Sequence, residues 1–183
     1  MTYLAVAGLP GPTDEEDAEE VSTHELVRRA LCFAADIIHA ASEIACPNCP
    51  GARLQLRVGV HVGPATSGVI GRRMPRYCLF GSSVPTASRL ESSGVPNHVQ
   101  MTSETRALAV SPPPGDARIQ EGERAHMPWD ESSGWRWKRR IGGVVAKGLG
   151  RLDTWFLAPP AHLDFTRSWD RVRVNLGMRG RLG

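Results

Sequence analysis

Between residues 21 and 44 the apolar positions Val21, Leu26, Val27, Ala30, Leu31, Ala34, Ile37, Ile38, Ala41 and Ile44 recur largely at spacings of three and four. That period puts them on one face of a helix. Thr13 or Asp14 can cap its start, and the acidic run from Asp14 to Glu20 carries the sign favoured near a helix N-terminus. The pattern ends near Cys46-Pro47. The next stretch changes period: Leu54, Leu56, Val58, Val60 and Val62 alternate with Gln55, Arg57, Gly59 and His61, which predicts a strand with one face on the core. A short apolar run over residues 3–7, stopped by Gly8-Leu9-Pro10, predicts another strand.

Further along, residues 66–71 are small and apolar, and Tyr77-Cys78-Leu79-Phe80 predicts a strand bounded by Pro75 and Gly81. Ser82-Ser83 offers a helix cap, Pro85 fits the first turn where its missing N–H costs little, and Ser93-Gly94 marks the stop. Residues 98–101 predict a strand and residues 103–109 a brief helix. Residues 111–134, with Pro112-Pro113-Pro114 and almost no apolar period, read as a solvated insertion or disordered loop. Order resumes around residues 135–145, Lys147-Gly148-Leu149-Gly150 forms a tight turn, and residues 154–157 form a closing strand. The alternation of strands and helices predicts an α/β or α+β fold around one central sheet.

A length of 183 residues suits one compact domain, alone or with a loose tail. No apolar run reaches the roughly 18 residues of a membrane-spanning helix. The first residues lack a basic region and do not read as a secretory signal, so a reducing, cytoplasmic setting is the default, with a membrane segment upstream still compatible. Cys32, Cys46, Cys49 and Cys78 are too few and too unevenly placed for a disulfide scaffold, and free thiols are expected. The net charge of +3 belongs to the tail, where Arg167, Arg171, Arg173, Arg179 and Arg181 face only Asp164 and Asp170. The rest of the chain is balanced, so the charge itself gives no reason to expect nucleic acid as a partner.

Residues 54–92 carry a set of motifs: Leu56-Arg57-Val58-Gly59-Val60-His61-Val62-Gly63-Pro64, Gly68-Val69-Ile70-Gly71, Met74-Pro75-Arg76-Tyr77-Cys78-Leu79-Phe80-Gly81 and Thr86-Ala87-Ser88-Arg89-Leu90-Glu91-Ser92. Together they closely resemble the C-terminal half of a class III nucleotide cyclase catalytic domain of the guanylate cyclase type. The likeness starts at Tyr3 to Pro10 and continues through Thr102-Ser103-Glu104-Thr105, Lys147-Gly148-Leu149-Gly150 and Thr154-Trp155-Phe156-Leu157. Nothing in the insertion or the tail matches. Read this way, residues 1–158 are a partial cyclase domain with an insertion at 111–134, and residues 159–183 a disordered Arg-rich tail.

The resemblance implies a ferredoxin-like βαββαβ domain, truncated at its N-terminus, that works as a dimer with nucleotide in the shared cleft. The implied reaction converts GTP, less readily ATP, into a 3′,5′-cyclic nucleotide and pyrophosphate, with two Mg²⁺ or Mn²⁺ ions assisting an in-line displacement. Arg89 matches the transition-state arginine of the family and Lys147 the lysine that contacts the triphosphate. Cys78 stands where guanylate-specific members carry cysteine. The two metal aspartates and the guanine-binding glutamate of the family would precede Tyr3, so no metal ligand is expected in this chain and the ions must be held by a second cyclase domain or a missing N-terminal segment. Pro85 stands in place of an asparagine that orients the ribose, and Ser82 in place of an aspartate. This chain alone is therefore expected to be nearly inactive.

Plainer readings stand beside these. Arg89 taken alone is an exposed helix arginine, Cys78 equally a small core residue, and Lys147 a surface charge. Cys46-Pro47-Asn48-Cys49 has metal-ligand spacing, but no second pair follows and the prolines suggest a loop. His61 reads as a solvent-facing strand position. Trp135, Trp137, Lys138, Arg139 and Arg140 interleave aromatic and basic residues, with packing of the tryptophans on the sheet favoured over contact with single-stranded nucleic acid. Two function classes remain: half of a guanylate cyclase, or a degenerate cyclase domain that dimerises with a true cyclase and regulates it without turnover.

Overall fold

The period of three and four produces helix α1, Thr23–Glu43, in the computed structural model, which describes residues 2–9, 21–47, 49–111, 133–146 and 148–163. Its buried side includes Val27, Leu31, Ala34, Ile38 and Ala41, as the spacing predicts. Ser22 caps it, the side-chain oxygen accepting from the Glu25 N–H at 3.3 Å. The helix thus starts well after Thr13 and Asp14, which lie outside the described residues together with the acidic run. A nearer serine supplies the acceptor that the first turn needs.

Among the described residues eight strands and two more helices follow. Strand β1 is Val58–Val60, β2 Thr66–Ile70 and β3 Arg76–Phe80; helix α2 is Ser83–Ser92, β4 Val99–Thr102 and α3 Ser103–Val110. Then come β5 Arg136–Arg139, β6 Val144–Ala146, β7 Gly150–Leu152 and β8 Thr154–Ala158. The main sheet has the order β1-β4-β8-β5, with β1 parallel to β4 and the other neighbours antiparallel. Two hairpins stand apart from it, β2–β3 and β6–β7. The class is α+β, with one principal sheet.

Both faces of that sheet are covered near β1 and β4. Val99, Met101 and Leu157 join Val27, Leu31, Ala34 and Ile38 of α1 and Ala109 of α3 in one core, with Val58 and Val60 packed against it. Full burial of side chains such as Leu31, Ile38 and Leu157 contributes roughly 2 kcal/mol each. Gly59, between Val58 and Val60, points to the opposite face. There α2 comes so close that a Cβ on Gly59 would collide with the Ala87 carbonyl and the Glu91 amide. Glycine at this position lets a helix lie directly on the strand.

Two expected strands come out differently. Residues 3–7 form no strand: Tyr3 is 84% exposed and Leu4 56%, and no ladder partner lies beside them among the described residues. An apolar run becomes a strand only where neighbouring backbone can pair with its N–H and C=O groups. The alternating stretch 54–62 pairs only over β1. Ahead of it the Leu56 N–H is met by the Asn97 side chain at 3.2 Å instead of a ladder. Asn97 takes the left-handed conformation that asparagine tolerates, with φ 58°. No helix among the described residues is long and apolar enough to cross a membrane.

Candidate functional site

Helix α2 is anchored at both ends. At its start the Ser83 hydroxyl donates to the Pro64 carbonyl at 2.7 Å, and Thr86 donates to the Ser82 carbonyl through its hydroxyl at 2.6 Å and its N–H at 3.2 Å. Ser82 occupies the cap position, but its side chain makes no capping bond. Pro85 lies in the first turn, exposed, where its missing N–H would have had no partner inside the helix. Arg89 follows four residues later on the same face, also exposed, in the last turn where a cation suits the helix dipole.

At its other end α2 is clamped by a residue that the motifs do not single out. Arg140 donates from Nη1 to the Ser93 carbonyl at 2.6 Å and to Gln100 Oε1 at 3.0 Å. Gln100, fully buried, passes the contact on through Nε2 to the Thr154 hydroxyl at 3.4 Å, and the Arg140 guanidinium lies 5.8 Å from the Phe156 ring centre. Cation, amide and hydroxyl thus tie the C-terminus of α2 to β4 and β8. A signal existed: Gln100 alternates with Val99 and Met101, and a buried amide must find partners. Arg140 itself was legible only as one of a basic cluster.

The predicted positions gather around this helix to different degrees. Cys78 is at the centre of β3, half-buried, opposite Gly68 of β2, with a free thiol. The Arg89 side chain donates from Nε to the Val145 carbonyl at 3.1 Å, which joins α2 to β6. Helix α2 also touches β3. The elements that carry Cys78 and Arg89 therefore meet, and Val145 is two residues before Lys147 in the chain. Lys147 itself lies outside the described residues. Gly148 and Gly150, after it, both have φ near 80°, conformations open to glycine.

His61 departs from its solvent-facing reading. It stands just past β1, half-buried, with Nδ1 inaccessible and without a hydrogen-bond partner. Burial pushes its imidazole below the ordinary histidine value, against a smaller opposing pull from Glu104. The tryptophans pack as expected: Trp135 and Trp137 lie against the core, and the Arg106 guanidinium sits 5.3 Å from the Trp137 ring and 4.1 Å from that of Trp155. Among the described residues no three His, Cys, Asp or Glu side chains come together to hold a metal ion. The donor set needed for Mg²⁺ or Mn²⁺ does not fit these residues.

The model of the adenylate and guanylate cyclase catalytic domain matches residues 1–157. The chain belongs to that family. A receptor-type guanylate cyclase of Caenorhabditis elegans is 33% identical over 155 residues, covering 85% of this chain and 11% of the relative. The human guanylate cyclase soluble subunit beta-2 is 36% identical over 156 residues, again 85% of this chain and 20% of the relative. Among solved structures, the guanylate cyclase domain of RhGC from Catenaria anguillulae, in complex with GTP, superposes with a TM-score of 0.55 at 26% identity, covering 78% of this chain and 64% of that one. This cyclase-family chain thus spans a fifth or less of these two curated relatives and under two thirds of that solved domain.

Proposed function

We propose that this cyclase-family chain forms the base-binding and phosphate-binding wall of a guanylate cyclase site, producing cyclic GMP and pyrophosphate from GTP together with a domain that supplies the metal carboxylates. The observation that carries the reading is the meeting, around α2, of the strand bearing Cys78, of Arg89, and of the strand that leads toward Lys147.

In this reading the ribose 3′-oxygen attacks the α-phosphorus and pyrophosphate leaves in line. Negative charge that builds on the phosphoryl oxygens needs fixed donors. Arg89 suits the task because its contact with Val145 uses Nε alone, so both Nη groups keep their N–H donors for a bidentate grip on phosphate. Lys147 would add a point charge toward the triphosphate, and Cys78 would face the guanine. Mg²⁺ or Mn²⁺, when bound, would supply Lewis-acid charge at the phosphates, and the described residues of this chain offer no cluster of three donors for them.

A second cyclase domain is the partner that this reading requires. The β2–β3 hairpin supports it, because Val69, Ile70, Met74, Tyr77 and Phe80 are between 45% and 71% exposed. Apolar side chains so placed have little to bury against among the described residues. GTP as substrate puts the domain in the cytoplasm or on the cytoplasmic side of a membrane. Alone, the chain should make almost no cyclic GMP.

The test mixes the chain with a cyclase domain that keeps its two metal aspartates but has lost its own transition-state arginine, and measures cyclic GMP from GTP and Mn²⁺. Arg89→Ala should lower kcat about 100-fold or more while KM changes little. Unchanged output would overturn the proposal. Pro85→Asn in the same mixture addresses the regulatory alternative: if only the asparagine variant turns over, the native chain regulates without catalysis.

A further inference from the structure

The segment between α1 and β1 holds two thiols in one small, hydrogen-bonded loop. The Cys49 N–H donates to the Cys46 carbonyl at 3.3 Å, closing a turn of four residues. Pro47 stands at its second position, where a fixed φ favours such a turn. The Cys46 N–H donates to the Ala52 carbonyl at 2.9 Å and the Ala52 N–H to the Cys49 carbonyl at 3.0 Å, so both cysteines are held from outside the turn as well. An Ala45–Arg53 bridge and the Leu54 N–H to Ile44 carbonyl bond at 2.8 Å close the base of the loop. Both cysteines are free and only half-buried. The ends of a hydrogen-bonded turn lie within about 7 Å at Cα, the reach of a disulfide. Loop closure is normally the entropic cost of such a bond, and here the turn has already met it.

We propose that Cys46 and Cys49 are a redox-active pair that forms a reversible disulfide within this loop, with a small-molecule disulfide such as oxidised glutathione as the co-reactant. The Cys46 thiolate attacks one sulfur of glutathione disulfide and expels one glutathione thiolate, leaving a mixed disulfide on Cys46. Cys49 then gives up its proton and attacks the Cys46 sulfur, expelling the second glutathione thiolate. Two protein S–H groups are oxidised to one S–S bond, one glutathione disulfide is reduced to two thiols, and those thiols take up the two protons. A hydrogen bond between the two thiols, the first cause that pushes the Cys49 thiol up, keeps the sulfurs within reach of each other for the second step. Cys32, half-buried in α1, is also pushed up, by burial first and then by Asp36 and Glu25, and does not compete as a nucleophile.

The full chain is equilibrated in glutathione buffers of graded oxidation, quenched, alkylated under denaturing conditions and weighed intact. Over the oxidising half of the series, two of the four cysteines should lose their reactivity to alkylation, with a mass loss of two hydrogens. Dithiothreitol should restore all of them. Cys46→Ser and Cys49→Ser should each abolish the loss and leave at most one glutathione adduct on the remaining partner, whereas Cys32→Ser should leave it intact. The proposal is overturned if all thiols stay alkylatable across the series, if the loss persists in Cys46→Ser or Cys49→Ser, or if it disappears in Cys32→Ser.

Discussion

The contact between α2 and the main sheet and the β2–β3 hairpin are neighbours in sequence but opposites in packing. The first is saturated: Gly59 admits the helix backbone, Leu90 is fully buried, and Arg140 joins the Ser93 carbonyl to the buried Gln100. The second is a regular five-residue ladder whose side chains stay largely in solvent. Val69 and Tyr77 are cross-strand partners and are 67% and 57% exposed. A polar, glycine-containing region is thus fully used inside the chain, while an apolar one is left open. Composition alone would have assigned those roles the other way round. In the proposed function the hairpin is the surface that meets another domain, and the α2 contact the scaffold that holds Arg89 in place.

The sharpest way to break this contrast is Gly59→Val. Its added atoms would meet helix backbone, which cannot swing aside as a side chain can, so stability should fall by about 3 kcal/mol in urea denaturation. A near-neutral result would mean that α2 does not rest on β1. Arg140→Ala comes next. It leaves Gln100 Oε1 and the Ser93 carbonyl without their cation, at an expected cost of about 2 kcal/mol, again read from urea midpoints. The smallest effect on the isolated chain belongs to the hairpin. Val69→Ser with Tyr77→Ser should change its stability by no more than about 0.5 kcal/mol, since both sites are already solvated. The same pair should weaken assembly with a second cyclase domain about tenfold or more, measured by sedimentation. Should the hairpin variant destabilise the isolated chain as much as Arg140→Ala, the two regions would not differ as described.

Much of the fold was legible where the signal is local. The spacing of Leu31, Ala34 and Ile38 in α1 needs no knowledge of what covers them, because the helix repeat alone puts them on one side. The same holds for Val58 and Val60, and for the start of α3, where Thr102 accepts from the Thr105 N–H. Strand β2 was not legible. Residues 66–70 run Thr66, Ser67, Gly68, Val69 and Ile70, small and apolar but without a period-two alternation, and they are a strand because Arg76–Phe80 folds back to pair with them. Residues 3–7 show the converse, an apolar run without a ladder. In the candidate site, Cys78 and Arg89 stood out through the motifs around them. Arg89's hold on the Val145 carbonyl, and the Arg140 clamp behind it, join residues dozens of positions apart and left no trace in either stretch by itself.

The amino-acid order on its own determined the family, the faces of the helices and the alternation of strand and helix, because periods of 3.6 and 2 and short motifs are written in neighbouring residues. Which runs became strands, which polar side chains were buried with partners, and which apolar surface was left open were decided only by the tertiary structure. A hydrogen bond or a buried contact needs its second half, and that half comes from a distant part of the chain whose arrival no local pattern records.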